Sequence, residues 1–164
     1  MTVLGLDPGL TTTGYGVVTR EAGRMHALAY GAIRTPTTED TPARLVRLRV
    51  EVQELLREHE PDAVALERLL FSTNRKTVMD VARASGVILL AIGEAGLRCA
   101  EYSPPEVKLA VTGVGQAGKQ QVRYMVTQIL GLQTPPSPFD AADALALAVC
   151  HHQSVAARHL RAEI

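Results

Sequence analysis

The hydrophobic and polar positions divide the chain into short apolar runs and longer helical repeats. Residues 2–6, 14–20 and 25–34 predict three strands, the last two joined by a tight turn at residues 21–23. Strands that follow one another through short connections usually pair as an antiparallel meander. Two further apolar runs, at 63–66 and 97–102, are too short for helices and predict additional buried strands.

Apolar side chains at helical spacing predict five helices between and after these strands. The first begins at Thr41-Pro42, with Thr41 as N-cap and Pro42 at the first helical position, and Pro61 ends it. The other helices are expected over residues 75–93, from 103 onward, over 119–130 and from 139 to about 152. A meander followed by alternating helices and strands predicts an α/β domain with a mixed sheet and helices on both faces. This domain is expected to cover residues 1–153, with residues 154–164 as a flexible tail.

The composition is that of one globular domain without disulfides. The chain has 164 residues, and the 46% that are hydrophobic exclude global disorder. The longest apolar run, residues 86–93, is far short of the ~20 residues that cross a bilayer. Asp7 interrupts the first apolar stretch, which does not fit a signal peptide. We therefore expect a cytoplasmic protein without membrane contact, in which Cys99 and Cys150 are buried or idle thiols.

The net charge of the chain is zero, which argues mildly against nucleic-acid binding because proteins of that class are usually basic. The charge is unevenly distributed, however. Residues 68–83 carry four basic side chains against Asp80 alone, and residues 106–123 carry three against Glu106 alone. A locally basic face on a neutral protein is one interpretation, and charges scattered over a solvated surface are the other.

Four carboxylates stand where an acidic side chain needs a specific explanation. Asp7 and Glu67 each end an apolar strand, whereas Asp140 and Asp143 share one face of an otherwise apolar helix through their i, i+3 spacing. Turn and helix-cap roles are the alternatives, strongest for Asp7 in its Asp-Pro-Gly turn and for Asp140 in a first helical turn. Acids grouped in this way suit divalent cations such as Mg²⁺, and pairs of such ions hydrolyse phosphodiesters. His151 lies roughly 16 Å further along the same helix and is expected at the surface.

Two glycine-containing segments look like nucleotide-binding loops. Residues 113–119 match most of a Walker A sequence, but Gln120 stands where the Mg²⁺-binding Ser or Thr belongs, and a helix is predicted before the loop. We interpret the segment as a loop that brings Lys119 to a helix N-terminus, a place suited to a phosphate. Residues 7–14 resemble the phosphate loop of actin-like ATPases and sugar kinases, but those proteins need two such domains and a longer chain.

Several short segments, in order and over nearly the whole chain, resemble those of one known family. The segments are Gly5-Leu-Asp-Pro-Gly9, Gly14-Tyr-Gly16, Leu66-Glu67, Arg83-Ala-Ser-Gly86, Val107-Lys108, Thr112-Gly-Val-Gly115 and Asp140-Ala-Ala-Asp-Ala-Leu-Ala146. Together they resemble the RuvC family of crossover junction endodeoxyribonucleases. The first and last segments are specific in combination, although neither is specific alone.

The resemblance implies an RNase H-like fold, in which a five-stranded mixed sheet has three antiparallel strands followed by parallel ones. It implies a homodimer that resolves four-way (Holliday) junctions by paired symmetric nicks, with two Mg²⁺ ions per active site, for which Mn²⁺ can substitute. It also implies cooperation with the RuvA–RuvB branch-migration complex. The residues it assigns are Asp7, Glu67, Asp140 and Asp143 for catalysis and metal binding, and Lys108 and Lys119 for contacts with the DNA backbone.

The chain departs from the family's usual pattern after Glu67. The family often has an aromatic residue three positions later, which wedges into the junction centre, but this chain has Leu70 there and Phe71 next. Either residue could serve as an apolar wedge between base steps, and ordinary core packing is the alternative. Arg75 and Lys76, from the same basic stretch, are further candidates for DNA binding.

Two other functions stay open on the sequence alone. One is a nuclease of the same fold that acts on RNA or ordinary duplex, and the other is a DNA-binding module without catalysis. The four intact acids argue against the module. The possible wedge and the small residues of the next helix, which suit a close two-fold interface, favour a junction nuclease over a duplex nuclease.

Overall fold

A five-stranded mixed sheet with the strand order β3-β2-β1-β4-β5 forms the centre of the protein. The computed structural model describes residues 1–69 and 75–162. The elements in chain order are β1 (Thr2–Asp7), β2 (Thr12–Glu21), β3 (Arg24–Arg34), α1 (Thr41–His59), β4 (Ala63–Glu67), α2 (Arg75–Glu94), β5 (Cys99–Tyr102), α3 (Pro104–Thr112), α4 (Lys119–Ile129) and α5 (Phe139–Ala162).

The strand directions confirm the predicted mixed sheet. β2 pairs antiparallel with both β1 and β3. The turn that joins β2 to β3 contains Ala22 and Gly23, which take positive φ angles of 47° and 81°. β4 and β5 then add parallel to β1 on its other side. The carboxyl ends of β1, β4 and β5 therefore meet at one edge of the sheet, which is where open sheets of this kind bind ligands.

Helices cover both faces of the sheet, as the sequence predicted. Successive strand residues point to opposite faces, so Leu4 and Leu6 of β1 pack under α1 and α2 while Val3 packs under α3, α4 and α5. These three side chains are fully buried, and burial of each stabilises the fold by about 1.5–3 kcal/mol. α5 lies directly across β1 and β2, close enough to bring its first turn to the edge where β1 ends.

Two helix boundaries differ from the prediction. Asp40, not Thr41, is the N-cap of α1, since its carboxylate accepts a hydrogen bond of 2.9 Å from the backbone N–H of Ala43. A carboxylate there also interacts favourably with the positive end of the helix dipole. The prediction that the last helix ends near residue 152 is wrong, because α5 continues to Ala162. Residues 153–162 contain neither Gly nor Pro, so nothing in the sequence stops the helix.

In the part of the chain that the structure describes, every helix is too short or too polar to cross a bilayer.

The start of α3 agrees with the sequence prediction. Ser103 is its N-cap, and the carboxylate of Glu106 accepts hydrogen bonds from both the backbone N–H and the hydroxyl of Ser103, at 2.7 and 2.6 Å. This capping box fixes the direction in which α3 leaves the sheet edge.

Candidate active site

Asp7 and Glu67 lie side by side at the carboxyl ends of two neighbouring parallel strands. Leu6 and Leu66 are register partners, so the two acids follow at the next position of each strand. Val3 and Ala65 belong to the core on the α5 side, and the alternation of strand side chains turns both acids toward that same side. The prediction that each of these acids ends an apolar strand is confirmed, and the register shows that the two strand ends are neighbours.

α5 contributes the other two acids from above the sheet. Of residues 140–150, Asp140 and Asp143 are partly exposed and all the others are buried. Their spacing places them on one helix face, and Gly14, the register partner of Asp7, lies directly beneath the backbone of Asp140. The four acids therefore converge on the edge of the sheet at which β1 and β4 end.

The acids raise one another's affinity for protons. Burial raises the pKa of Asp7 well above its ordinary value of 3.8, and the negative charges of Glu67, Asp143 and Asp140 raise it further. Burial also raises the pKa of Glu67 and of Asp143, with Asp143 adding to the effect on Glu67. Mutual repulsion of this kind indicates a site short of positive charge.

Two lysines of the described residues supply positive charge beside the acids. Lys108 on α3 and Lys119 at the start of α4 line a cavity of about 250 Å³ together with Asp7, Glu67 and Asp143. The ammonium group of Lys119 lies 3.9 Å from an Asp143 carboxylate oxygen. These are the two lysines that the resemblance assigned to the DNA backbone.

The loop before Lys119 has the structure that the sequence indicated. A helix, α3, precedes it, which is incompatible with the strand–loop–helix order of a Walker A site. Gly113 closes α3 with a left-handed φ of 76°, and Gly118 is the N-cap of α4. Lys119 thus stands at the first position of a helix and beside the acids.

The remaining DNA-binding candidates lie partly or wholly outside the residues that the structure describes. Arg75 and Lys76 lie in the first turn of α2, and their side chains are outside the part of the chain that the structure describes. Leu70 and Phe71, the wedge candidates, also lie outside the described residues. Their assignment to DNA binding stays a prediction.

Sequence reasoning missed a set of hydroxyl contacts that hold the loop after Asp7. The Thr13 hydroxyl donates to the carbonyl oxygen of Gly9 at 2.7 Å, and the Thr35 hydroxyl donates to that of Leu10 at 2.5 Å. Arg44 donates to the hydroxyls of Thr35 and Thr11 from the first turns of α1. The threonines were visible in the sequence, but the two contacts that join residues 25 and 33 positions apart, Thr35 with Leu10 and Arg44 with Thr11, become apparent only in the fold.

The prediction of a surface position for His151 is wrong. Its Nδ1 atom lies 2.9 Å from the hydroxyl of Tyr102, the register partner of Glu67, and the histidine is half-buried. The neighbouring His152 is 1% exposed and bonds through Nε2 to the carbonyl oxygen of Val18 at 3.0 Å. Both histidines tie α5 to the sheet, far from the acids along the helix.

Among the described residues, no group of three or more His, Cys, Asp and Glu side chains already has the arrangement that would hold a metal ion. What the structure places together is a set of oxygen ligands on two strands and one helix, with Lys119 beside them.

A mixed sheet of this strand order, with acids at the ends of two adjacent parallel strands and on the helix that crosses them, defines an RNase H-like nuclease domain. The family model described as "Crossover junction endodeoxyribonuclease RuvC" matches residues 3–151. The chain belongs to this family.

Individual relatives agree with the family match. The crossover junction endodeoxyribonuclease RuvC of Syntrophomonas wolfei is 53% identical over 154 residues, which cover 94% of this chain and 90% of that protein. Its counterpart from Moorella thermoacetica is 50% identical over 92% of this chain and 90% of its own length. The solved structure of T. thermophilus RuvC in complex with Holliday junction substrate superimposes with a TM-score of 0.89, at 38% identity and 94% coverage of both chains.

Proposed function

We propose that this protein cuts four-way DNA junctions as a homodimer, by metal-dependent hydrolysis of phosphodiesters at Asp7, Glu67, Asp140 and Asp143. The observation that carries this proposal is the convergence of the four acids with Lys108 and Lys119 at one edge of the sheet. It is supported by the T. thermophilus relative, which was solved with a Holliday junction substrate and aligns over 94% of this chain.

The donor set fits two Mg²⁺ ions, with Mn²⁺ as a substitute. Carboxylate oxygens are the ligands that such ions prefer, and Mg²⁺ sites usually combine a few carboxylates with waters and substrate phosphates. Burial, and secondarily the neighbouring carboxylates, raise the pKa values of Asp7, Glu67 and Asp143, and a divalent cation bound among them would favour their ionised forms. When bound, the ions would supply an activated water and stabilise the leaving oxygen of the phosphodiester.

The protein's own residues hold the acids in place and shield the cavity from bulk water. Asp7 and Glu67 are held by strands of the central sheet, which limits their movement relative to each other. Pro104, Val107 and Val122 form the apolar wall of the cavity and keep bulk water from part of it. Lys108 and Lys119 stand where they can contact the phosphates of a DNA strand that reaches the acids.

The α2 helix supports the proposed dimer. Met79 and Leu90 on α2 are 53% and 54% exposed. Val46 and Val50 on α1, the helix that packs against α2, are also exposed. A four-way junction has two symmetry-related strands to cut, and a two-fold dimer presents two identical active sites. We therefore assign residues 78–90 to the interface.

Two further parts of the proposal concern partners. The apolar Leu70 or Phe71 would wedge between bases at the junction centre, with Arg75 and Lys76 contacting DNA nearby. The chain would act in the cytoplasm with the RuvA–RuvB branch-migration complex, as the family resemblance implies.

A cleavage assay on matched DNA substrates tests the proposal. A synthetic four-way junction and a linear duplex of the same sequence would be incubated with the protein and Mg²⁺, with Asp7→Asn as the inactive control. We expect paired symmetric nicks in the junction only, and none in either substrate with chelator. Equal cutting of the duplex would favour a general nuclease of the same fold, and binding without cutting under all metal conditions would favour a DNA-binding module.

A further inference from the structure

Gly14 lies between two of the four acids. It is the register partner of Asp7 on the neighbouring strand, and the first turn of α5 lies directly above it. A Cβ atom at position 14 would overlap the carbonyl oxygen and carbon of Asp140 and would lie 3.0 Å from the Asp140 Cβ. All three of these atoms belong to one acid of the site.

Because glycine has no side chain, α5 can approach the sheet closely at Gly14. Non-bonded heavy atoms pack best at about 3.5 Å or more, so a methyl group at position 14 would require the Asp140 backbone to retreat by about 1 to 1.5 Å. The opposing atoms are helix backbone, which cannot rotate away as a long side chain could. A displacement would therefore move the first turn of α5 and the carboxylate it carries.

The first turn of α5 is also in contact with α4. The guanidinium of Arg123 lies over the Phe139 ring, 4.9 Å from its centroid, and its Nη2 donates to the carbonyl oxygen of Pro135 at 3.5 Å. Phe139 directly precedes Asp140. The start of α5 is thus in contact both with Gly14 of β2 and with Arg123 of α4.

We propose that Gly14 is a positioning residue for the nuclease site, because its lack of a side chain sets the distance of Asp140 from Asp7. This inference rests on the proposed function, in which both acids are metal ligands. Glycine weakens a strand interior, where it has no side chain to pack and more conformational freedom to lose. Its presence in β2 is explained by the close approach of α5 rather than by strand stability.

The test compares Gly14→Ala with a matched glycine elsewhere in the sheet. A Cβ at Gly31 on β3 would also be crowded, at 2.8 Å from the Tyr15 hydroxyl, but it meets the end of a side chain that can move and no part of α5. Thermal melting, Mn²⁺ affinity of the DNA-free protein by calorimetry, junction affinity in chelator and single-turnover cleavage would be measured on both variants.

For Gly14→Ala we expect a folded protein that binds the junction within about twofold of the parent. Its Mn²⁺ affinity should fall about 10-fold and its cleavage rate about 100-fold, as expected for a ligand misplaced by about 1 Å. Gly31→Ala should keep the parental metal affinity and rate. A Gly14→Ala protein with parental Mn²⁺ affinity and rate, or one that does not fold, would overturn the positioning role.

A longer acid should compensate for the retreat of the helix. Asp140→Glu extends the carboxylate by one methylene, so it should impair Mn²⁺ binding in the parent but improve it in the Gly14→Ala background. A double variant no better than Gly14→Ala would contradict the inference. Asp140→Asn separates the two proposals: if it keeps parental Mn²⁺ affinity and rate, the proposed function fails and the positioning role fails with it. If it loses both while Gly14→Ala is normal, only the positioning role fails.

Discussion

The ammonium group of Lys119 lies 3.9 Å from Oδ2 of Asp143, at the mouth of the acid site. The lysine side chain is 73% exposed while the aspartate side chain is 24% exposed, so the cation is the mobile and solvated partner of the pair. An ion pair this exposed contributes little to the free energy of unfolding. Its position is better explained by DNA binding, in which Lys119 would move from the carboxylate to a phosphate.

We predict that Lys108→Ala and Lys119→Ala each weaken junction binding and slow cleavage without lowering the melting temperature. Loss of one phosphate contact should reduce the slope of log affinity against log salt by about one unit. Binding would be measured by fluorescence anisotropy between 50 and 200 mM salt. An unchanged slope with an unchanged cleavage rate would show that the two lysines do not contact DNA.

We predict that Asp7→Asn, Glu67→Gln, Asp140→Asn and Asp143→Asn each abolish cutting and leave junction binding intact. The acids are proposed as metal ligands, and removing negative charge near phosphates should strengthen binding if it changes it at all. Gel-shift binding and cleavage in Mg²⁺ would be compared for each variant. Any variant that cuts at nearly the parental rate would remove its residue from the site.

Without metal, we predict that Asp7→Asn is more stable than the parent at pH 7.5. The pKa of Asp7 is raised in the fold, so its proton is bound more tightly there than in the unfolded chain, whose pKa is near 3.8. Ionisation of Asp7 therefore lowers the free energy of unfolding increasingly as pH rises above 3.8. The loss reaches its full size once pH exceeds the pKa of Asp7 in the folded protein. We expect a gain of a few °C in melting temperature, since ~1 kcal/mol shifts a domain of this size by about 2–4 °C.

The pH dependence of this gain in melting temperature shows whether the charge of Asp7 causes it. Melting in chelator would be followed from pH 7.5 down to pH 4, where the gain should shrink toward zero as Asp7 takes up its proton. Glu21→Gln, at an exposed acid at the far end of β2, is the matched variant and should show no comparable gain. A gain that persists unchanged at pH 4 would mean that packing, not charge, is responsible.

We predict that Leu90→Glu disrupts the dimer and the paired nicking of junctions. Leu90 is 54% exposed on α2, and a carboxylate buried in an apolar interface without a partner is strongly unfavourable. Light scattering at micromolar concentration would give the mass, with Leu109→Glu on α3, at 57% exposure, as the matched control. A monomeric parent with full junction cutting, or an unaffected Leu90→Glu dimer, would contradict the assigned interface.

We predict that Phe71→Ala lowers junction cutting more than it lowers stability. Phe71 lies outside the described residues, and the prediction rests on its place shortly after Glu67, where an apolar side chain could hold unstacked bases. Melting and cleavage would be measured on Phe71→Ala and Leu70→Ala together. Truncation of a core side chain would instead cost ~3–5 kcal/mol of stability and leave activity per folded molecule normal. That result would leave Leu70 as the wedge candidate.

The sequence by itself determined the elements of the fold and singled out four acids as candidates for the site. Strand and helix periods are local, so the apolar runs and repeats were sufficient to predict the strands, the helices and their placement on both faces. Local signals were weaker at boundaries. Asp40 and Thr41 are both good caps, and only the observed hydrogen bond to Ala43 distinguishes them.

The tertiary structure alone decided which distant residues meet and how closely. Asp7 and Asp140 are 133 positions apart in the sequence, and no local pattern sets their separation. That separation depends on α5 packing against the backbone of β2 at Gly14, a contact between segments far apart in the chain. The Thr35–Leu10 and Tyr102–His151 contacts also join separate parts of the chain, 25 and 49 positions apart. Such contacts arise because whole helices and strands pack against one another. Packing between distant elements leaves no periodic signal in a short stretch of sequence.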